Sequence, residues 1–356
     1  MAPILTRVGQ AFGFGASSGG ASGPTGVSAT GGTKTTVGDY TLHTFTSPGN
    51  FVTSADTNGN IQFLMVGGGG SGGNDSAGGG GAGALLVGAD VPVGPSQTMA
   101  IAIGDGGNGQ PGYCNPDTPA NSWNFTAPKA GGSDTTFAHP GGTVTAYGGS
   151  AGGVSRSTPG GYGLGPMSPG NSPDCFGGGG GAAKANPEGS GVRDADPPKG
   201  NDPTSPYYAA YPLPGSVGPL ITKHIYKGGP ANPNAGAPTN SQWCGGGGAG
   251  AGGNGNANTP TGGGVGGAGF HAAPLAWFPP TGGVSGYIAG GGGAGGPDGS
   301  GDTAGAGGSG GGGAGGGGNP GAGTAGTANT GSGGGGSDQL AAADGGSGVC
   351  YIAYPT

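Results

Sequence analysis

GAGGSGGGGAGGGG, residues 305–318, decides how this chain must be read. It offers no side chain larger than that of serine, and runs like it recur until glycine reaches 103 of 356 residues. Glycine loses the most backbone entropy on folding and has nothing to bury, so such a chain orders only if its backbone hydrogen bonds are satisfied collectively.

Composition narrows the solutions. Hydrophobic residues make up 31% and proline adds 32 positions, so an apolar core can serve only part of the chain. Charged residues make up 7%, whereas solvated disordered linkers depend on charge, so ordered and uncharged packing is expected. The formal net charge is −7 and no Lys or Arg occurs from Gly228 to Thr356, which leaves no groove for neutralising phosphates. Nucleic acid is therefore not an expected partner. No stretch approaches the ~18 apolar residues of a membrane span, and MAPILTRVGQAFGFG lacks the basic and then apolar layout of a signal peptide. Neither membrane insertion nor export is expected.

Around the glycine, strand signals dominate residues 31–150. YTLHTF (40–45) alternates, SPGN makes a turn, FVTS follows, and IQFLMV (61–66) is a compact buried run. ALLVGADVPV (84–93), TMAIAIG (98–104) and TTFAHPGGTVTAYGG (135–149) continue the series, and the terminal GVCYIAYP reads as one more strand. The expected fold is mainly β with almost no α-helix. A small antiparallel β-sandwich is followed by a glycine-rich region over 151–345, and residues 346–356 return to the sheet. Residues 1–30 read as a leader and flexible linker, with Ile4, Leu5, Val8, Phe12 and Phe14 as anchoring candidates; a disordered end is the alternative.

The glycine runs lack a strict G-X-Y period, which excludes collagen, and glycine's cost of about 1 kcal/mol relative to alanine excludes helices. What remains is a packed bundle of polyproline-II-type helices, that is polyglycine II. These have three residues per turn and a rise of about 3.1 Å, and glycine at the contacts lets outward N–H and C=O groups bond between helices. The loop inserts would then emerge between the runs.

Catalytic and cofactor motifs lose weight in this context. Gly67-x-Gly69-x-x-Gly72 with Asp90 beyond it mimics a dinucleotide fingerprint, but NDSAGGGGAGA cannot supply the required helix. Gly-x-Ser-x-Gly at 69–73 and 307–311 lacks the strand, turn, helix and His partner of a nucleophile elbow. His43, His139, His224 and His271 are scattered, and Cys114, Cys175, Cys244 and Cys350 form no C-x-x-C pair, so neither a metal site nor a cofactor is expected. Cys175 and Cys244 both adjoin glycine runs, which leaves a disulfide between them open. The sequons at Asn74 and Asn124 matter only in a secreted protein. No enzyme is expected.

The material between runs is richer. Residues 184–227 hold Lys184, Arg193, Lys199, Lys223 and Lys227 together with Tyr207, Tyr208 and Tyr211 in SPYYAAYPLPG. Other inserts carry Trp123 with Phe125, Trp243, and Trp277 with Phe278 in APLAWFPP. Aromatic rings on loops of a rigid scaffold give large contact area at small entropy cost, which suits recognition; the alternative is that they cover the flanks of a core-poor slab.

The succession of TFTSPGNF, IQFLMVGGGGSGG, GGGGAGALLVGA, TMAIAIGDGGNG, TVTAYGG, GTAGTANTGSGGGGS and GGSGVCYIAY resembles the glycine-rich domains of tailed-phage fibre and receptor-binding proteins over residues 38–356. The resemblance implies a structural virion protein, a tail fibre or fibre-tip adhesin on the particle surface. Its N-terminus would bind other virion proteins, and its aromatic inserts would bind a host surface glycan or outer-membrane protein. It also implies a homo-oligomer, with a trimer as one form. An architectural capsid-decorating fibre or tail subunit, and more remotely an ice-binding polyglycine protein, are the alternatives.

Overall fold

The computed structural model describes residues 26–74, 77–109, 131–153, 221–224, 228, 245–259, 262–296, 303–318, 320–338 and 340–356. Among these residues there is no helix, and every strand pairing is antiparallel. The chain is mainly β.

The described residues form thirteen strands in chain order: β1 Ala29–Thr30, β2 Thr33–Val37, β3 Tyr40–Phe45, β4 Gly49–Thr53, β5 Gly59–Val66, β6 Leu85–Val93, β7 Thr98–Ala102, β8 Thr135–His139, β9 Gly142–Ala146, β10 Ile221–His224, β11 Phe270–His271, β12 Tyr287–Ile288 and β13 Val349–Pro355. A five-stranded sheet runs β1-β4-β7-β8-β9, a six-stranded sheet runs β10-β6-β5-β13-β3-β2, and β11 pairs with β12. The last strand of the chain thus lies inside the larger sheet, between β5 and β3. Where β6 shifts register against β5 between Ile61 and Phe63, Asp90 takes a positive φ of 52°.

The two sheets share one apolar cluster. Phe63, Met65, Leu86, Cys350 and Ile352 of the larger sheet meet Phe51, Met99, Ile101, Phe137 and Val144 of the smaller. The opposite face of the larger sheet is also covered, because Leu42, Leu64, Leu85, Val349, Tyr351 and Ala353 belong to a second cluster with Trp277, Phe278 and Ile288. A strand buried on both faces needs apolar residues at successive positions, which accounts for the unbroken VCYIAY of β13.

Each sheet strand that runs on into glycine delivers it to a second kind of order. In residues 77–84, successive N–H groups turn to three neighbours in rotation. Gly78, Gly81 and Ala84 donate to the carbonyls of Gly153, Ser150 and Tyr147; Gly79 and Ala82 to Gly246 and Ala249; Gly80 and Gly83 to Gly334 and Gly331. Run 289–296 behaves the same way, with Gly291 and Ala294 donating to 264–267, Gly292 and Gly295 to 77–80, and Gly293 and Gly296 to 313–316. Its own carbonyls accept from three further runs, at Gly248 and Ala251, Gly305 and Gly308, and Gly333 and Gly336. Run 289–296 is therefore ringed by six neighbours, each also bonded to the next around the ring. Runs 67–73 and 331–338 are ringed likewise.

Side chains obey the same spacing. Along 303–309 the exposed positions are Thr303, Ala306 and Ser309, with buried Gly305 and Gly308 between them, and on the adjacent run Val265 and Ala268 are exposed. Glycine fills the contacts because a Cβ there would enter a neighbour's backbone, as at Gly292 against Gly334 O. Interior polar side chains replace backbone partners: Ser332 Oγ accepts from Gly290 N (3.2 Å) and donates to Gly310 O (2.7 Å).

Candidate functional site

The motifs set aside in the sequence sit in structural surroundings. The amides of Gly67, Gly68, Gly69, Gly70 and Gly72 donate to carbonyls of Ala84, Ser133, Gly346, Gly81 and Ala343, so none of them is available to cradle a phosphate. Ser71 is fully buried in that run. Cys350 is buried, and burial pushes its thiol up to about 12, far from a reactive thiolate at neutral pH. Cys114, Cys175 and Cys244, and with them the question of a Cys175–Cys244 disulfide, lie outside the described residues. Among the described residues no group of three or more His, Cys, Asp or Glu side chains could hold a metal ion, and no helix is long and apolar enough to cross a membrane.

His139 Nε2 donates to Pro92 O (2.8 Å), while its Nδ1 accepts from Gly141 N (3.0 Å), which fixes the turn joining β8 and β9. His43, on β3, is fully buried against β13 and the β1–β2 connection. Both rings make structural contacts.

The most developed described insert is 270–288, which leaves run 262–269 and returns into run 289–296. β11 and β12 close its neck, with Phe270 opposite Ile288 and His271 opposite Tyr287. Inside the neck, Leu275 N donates to Ala272 O (2.9 Å), Phe278 N to Leu275 O (2.8 Å) and Gly282 N to Pro279 O (2.8 Å). These consecutive turns aim the rings of Trp277 and Phe278 at the larger sheet. Phe278 meets Tyr351 edge to face at 5.1 Å between centroids, and Trp277 meets Phe278 at 6.5 Å.

Trp277 and Phe278 were expected to offer contact area to a receptor, and the fold corrects this. They are 1% and 2% exposed and cover the apolar face formed by Leu64, Val66 and Tyr351, so neither has a ring face to present. Among the described residues the Trp277 indole N–H has no hydrogen-bond partner, and the ring is held by its packing in the apolar cluster. The other recognition candidates, Trp123, Phe125, Tyr207, Tyr208, Tyr211 and Trp243, lie outside the described residues, as do Ile4, Leu5, Val8, Phe12 and Phe14.

The outward aromatic surface of this insert belongs to residues that sequence reading passed over. His271 and Tyr287 stack at 4.5 Å with planes 17° apart, His271 exposed and Tyr287 half-buried, and Val284 nearby in the chain is 38% exposed. The signal was present as two short pairs of residues, FH and YI, each carrying at least one aromatic ring and bracketing the insert where glycine resumes.

A family model described as a glycine-rich domain matches residues 44–355, which takes in β4 to β13, the ringed runs and insert 270–288. No curated protein matches the chain. With that match covering most of its length, the chain belongs to the glycine-rich domain family.

Proposed function

We propose that this chain is a non-enzymatic structural virion protein of a tailed bacteriophage, a tail fibre or fibre-tip adhesin whose inserts contact the host surface. In this reading the two sheets are a small β-sandwich and the glycine runs are a bundle of polyglycine II helices. What supports the helical assignment is the threefold rotation of hydrogen-bond partners along 77–84 and 289–296, the period of a helix with three residues per turn. What supports the sandwich is the apolar cluster common to both sheets.

The observation that carries the functional reading is the division of labour between runs and inserts. Backbone bonds among the runs make a scaffold that draws little on side chains, which leaves outward positions of the inserts, such as His271 and Tyr287, free for contact. The order of strands and runs over 38–356 resembles that of phage fibre domains and adds to this. Contact would come from Trp123, Phe125, Tyr207, Tyr208, Tyr211 and Trp243, joined by His271 and Tyr287. The partners would be a host glycan or outer-membrane protein and, through Ile4, Leu5, Val8, Phe12 and Phe14, other virion proteins in a homo-oligomeric assembly.

A purely architectural virion subunit is the second reading, favoured by the inward packing of Trp277 and Phe278. Purified protein should bind host cells and compete with phage adsorption, and replacing Tyr207, Tyr208 and Tyr211 with alanine should abolish competition without lowering stability. Absence of binding and competition would favour architecture.

A further inference from the structure

The chain passes from the smaller sheet to the larger between β1 and β2. Ala29 and Thr30 pair with Thr53 and Val52 of β4, and three residues later Thr33–Val37 pairs with β3. Two left-handed glycines make the crossing, Gly31 at φ 111° and Gly32 at φ 57°, and a Cβ at Gly31 would strike Asn50 O. Neither edge strand is strongly held. β1 has two residues, and the side chains of β2 are exposed except for half-buried Val37.

One side chain ties this crossing to the interior. His43 lies with Nδ1 2.6 Å from Gly31 O and Nε2 3.2 Å from the Tyr354 hydroxyl, and that hydroxyl accepts from Ala29 N at 3.2 Å. The carbonyl can only accept, so Nδ1 carries the proton. The Tyr354 hydroxyl, taking one bond from Ala29 N, gives its own to Nε2. The resulting relay, Ala29 N–H to Tyr354 O–H to His43 to Gly31 O, joins both ends of the crossing to the central strand β13 and requires a neutral imidazole.

We infer that His43 is a proton-operated latch on the β1–β2 crossing, closed when the ring is neutral and released when it is protonated. A second proton on Nε2 would meet a hydroxyl hydrogen pointed at it. Turning that hydroxyl away would leave the Tyr354 proton with no acceptor among groups already committed. Among the described residues the groups packed on the ring offer no countercharge: Phe51 from β4 stands edge to face at 5.1 Å, Tyr354 comes from β13, and Lys34, opposite His43 in the β2–β3 register, is itself a cation. Burial and, to a smaller degree, Lys34 lower the basicity of the ring, while the bond to Gly31 raises it. A lowered basicity in the fold means that the latch is fully closed above the ordinary histidine range near pH 6.5 and opens as pH falls below it.

Hydrogen exchange of the full chain between pH 7.5 and 4.5, corrected for intrinsic rates, tests this. Amides of residues 29–37 should exchange at least about tenfold faster at the acid end, with β5 and β13 unchanged. His43→Gln, whose amide can donate to Gly31 and accept from Tyr354, should remove the step. Ring ¹⁵N shifts of the unmodified chain give a second reading that needs no variant, with the Nδ1–H tautomer expected at pH 7.5. A step that persists in His43→Gln, acid loosening spread evenly over the sheet, no acid step in the unmodified chain, or an Nε2–H tautomer would each overturn the latch.

Discussion

Replacing Gly295 with alanine puts the glycine lattice under the smallest possible load. Gly295 sits in run 289–296 and donates to Ala77 O at 2.8 Å. A Cβ built there lies 2.6 Å from Ser337 O and 2.9 Å from Ser337 C, whereas ordinary contact begins at 3.4 Å. The two runs must separate by about 0.8 Å, and run 331–338 has neighbours on every side, so the shift spreads to bonds such as Gly336 N to Gly293 O at 2.9 Å. Overpacking costs about 1–3 kcal/mol and a weakened buried hydrogen bond about 1–3 kcal/mol more, against about 0.4–1 kcal/mol recovered from the stiffer unfolded chain. The expected net loss lies between about 1 and 5.5 kcal/mol. Gly253→Ala is the matched control, because its Cβ meets nothing nearer than Ala268 N at 3.7 Å, and it should be neutral or slightly stabilising. Chemical denaturation of the two variants side by side reads the difference. Equal stability to within about 0.5 kcal/mol would refute the claim that close backbone packing excludes the methyl group.

Further outcomes follow from the same structure. Gly292→Val, which drives a branched side chain into Gly334 O, should prevent accumulation of folded protein, seen as loss of the soluble species on gel filtration. Trp277→Ala should cost about 3–5 kcal/mol in denaturation, as expected of a buried ring, and any host-cell binding that remains measurable should be unaltered. Burial raises Cys350 and Tyr351 from 9.0 and 10.0 to about 12 each. Because both groups are held neutral in the fold, the stability they contribute is complete below pH 9 and is lost as pH rises toward about 12, to be seen as an alkaline unfolding transition. By peptide mapping after alkylation at pH 8, Cys350 should stay unmodified in folded protein and become labelled in denaturant.

The mainly β, antiparallel character was legible because strands with one solvated face alternate. TMAIA and TTFAH carry the period of two in their side chains and form β7 and β8, while YTLHTF forms β3, which is buried on both faces. β1, β11 and β12 are two residues long and have no room for a period, and β2, TKTTV, lies on an edge with almost nothing to bury. The partner of each glycine run was not legible, since identical residues carry no side-chain information about which neighbour or register they take. Only the exceptions carry it, such as Val265 and Ala306 at exposed positions and Ser332 at a buried junction. The aromatic inserts misled at Trp277 and Phe278 because exposure is a tertiary property. A ring in a proline-rich loop reads alike whether it faces water or a sheet. His271 and Tyr287 were passed over because their pairing joins residues separated by the whole insert.

Amide hydrogen exchange across runs 77–84, 289–296 and 331–338 tests most directly whether glycine forms the core. If the rings of interrun hydrogen bonds hold the protein together, these amides should be protected to within about tenfold of those in β5 and β13 and should open with them in one cooperative unit. Exchange of the runs at rates close to those of an unstructured peptide, while β5 and β13 stay protected, would contradict the account.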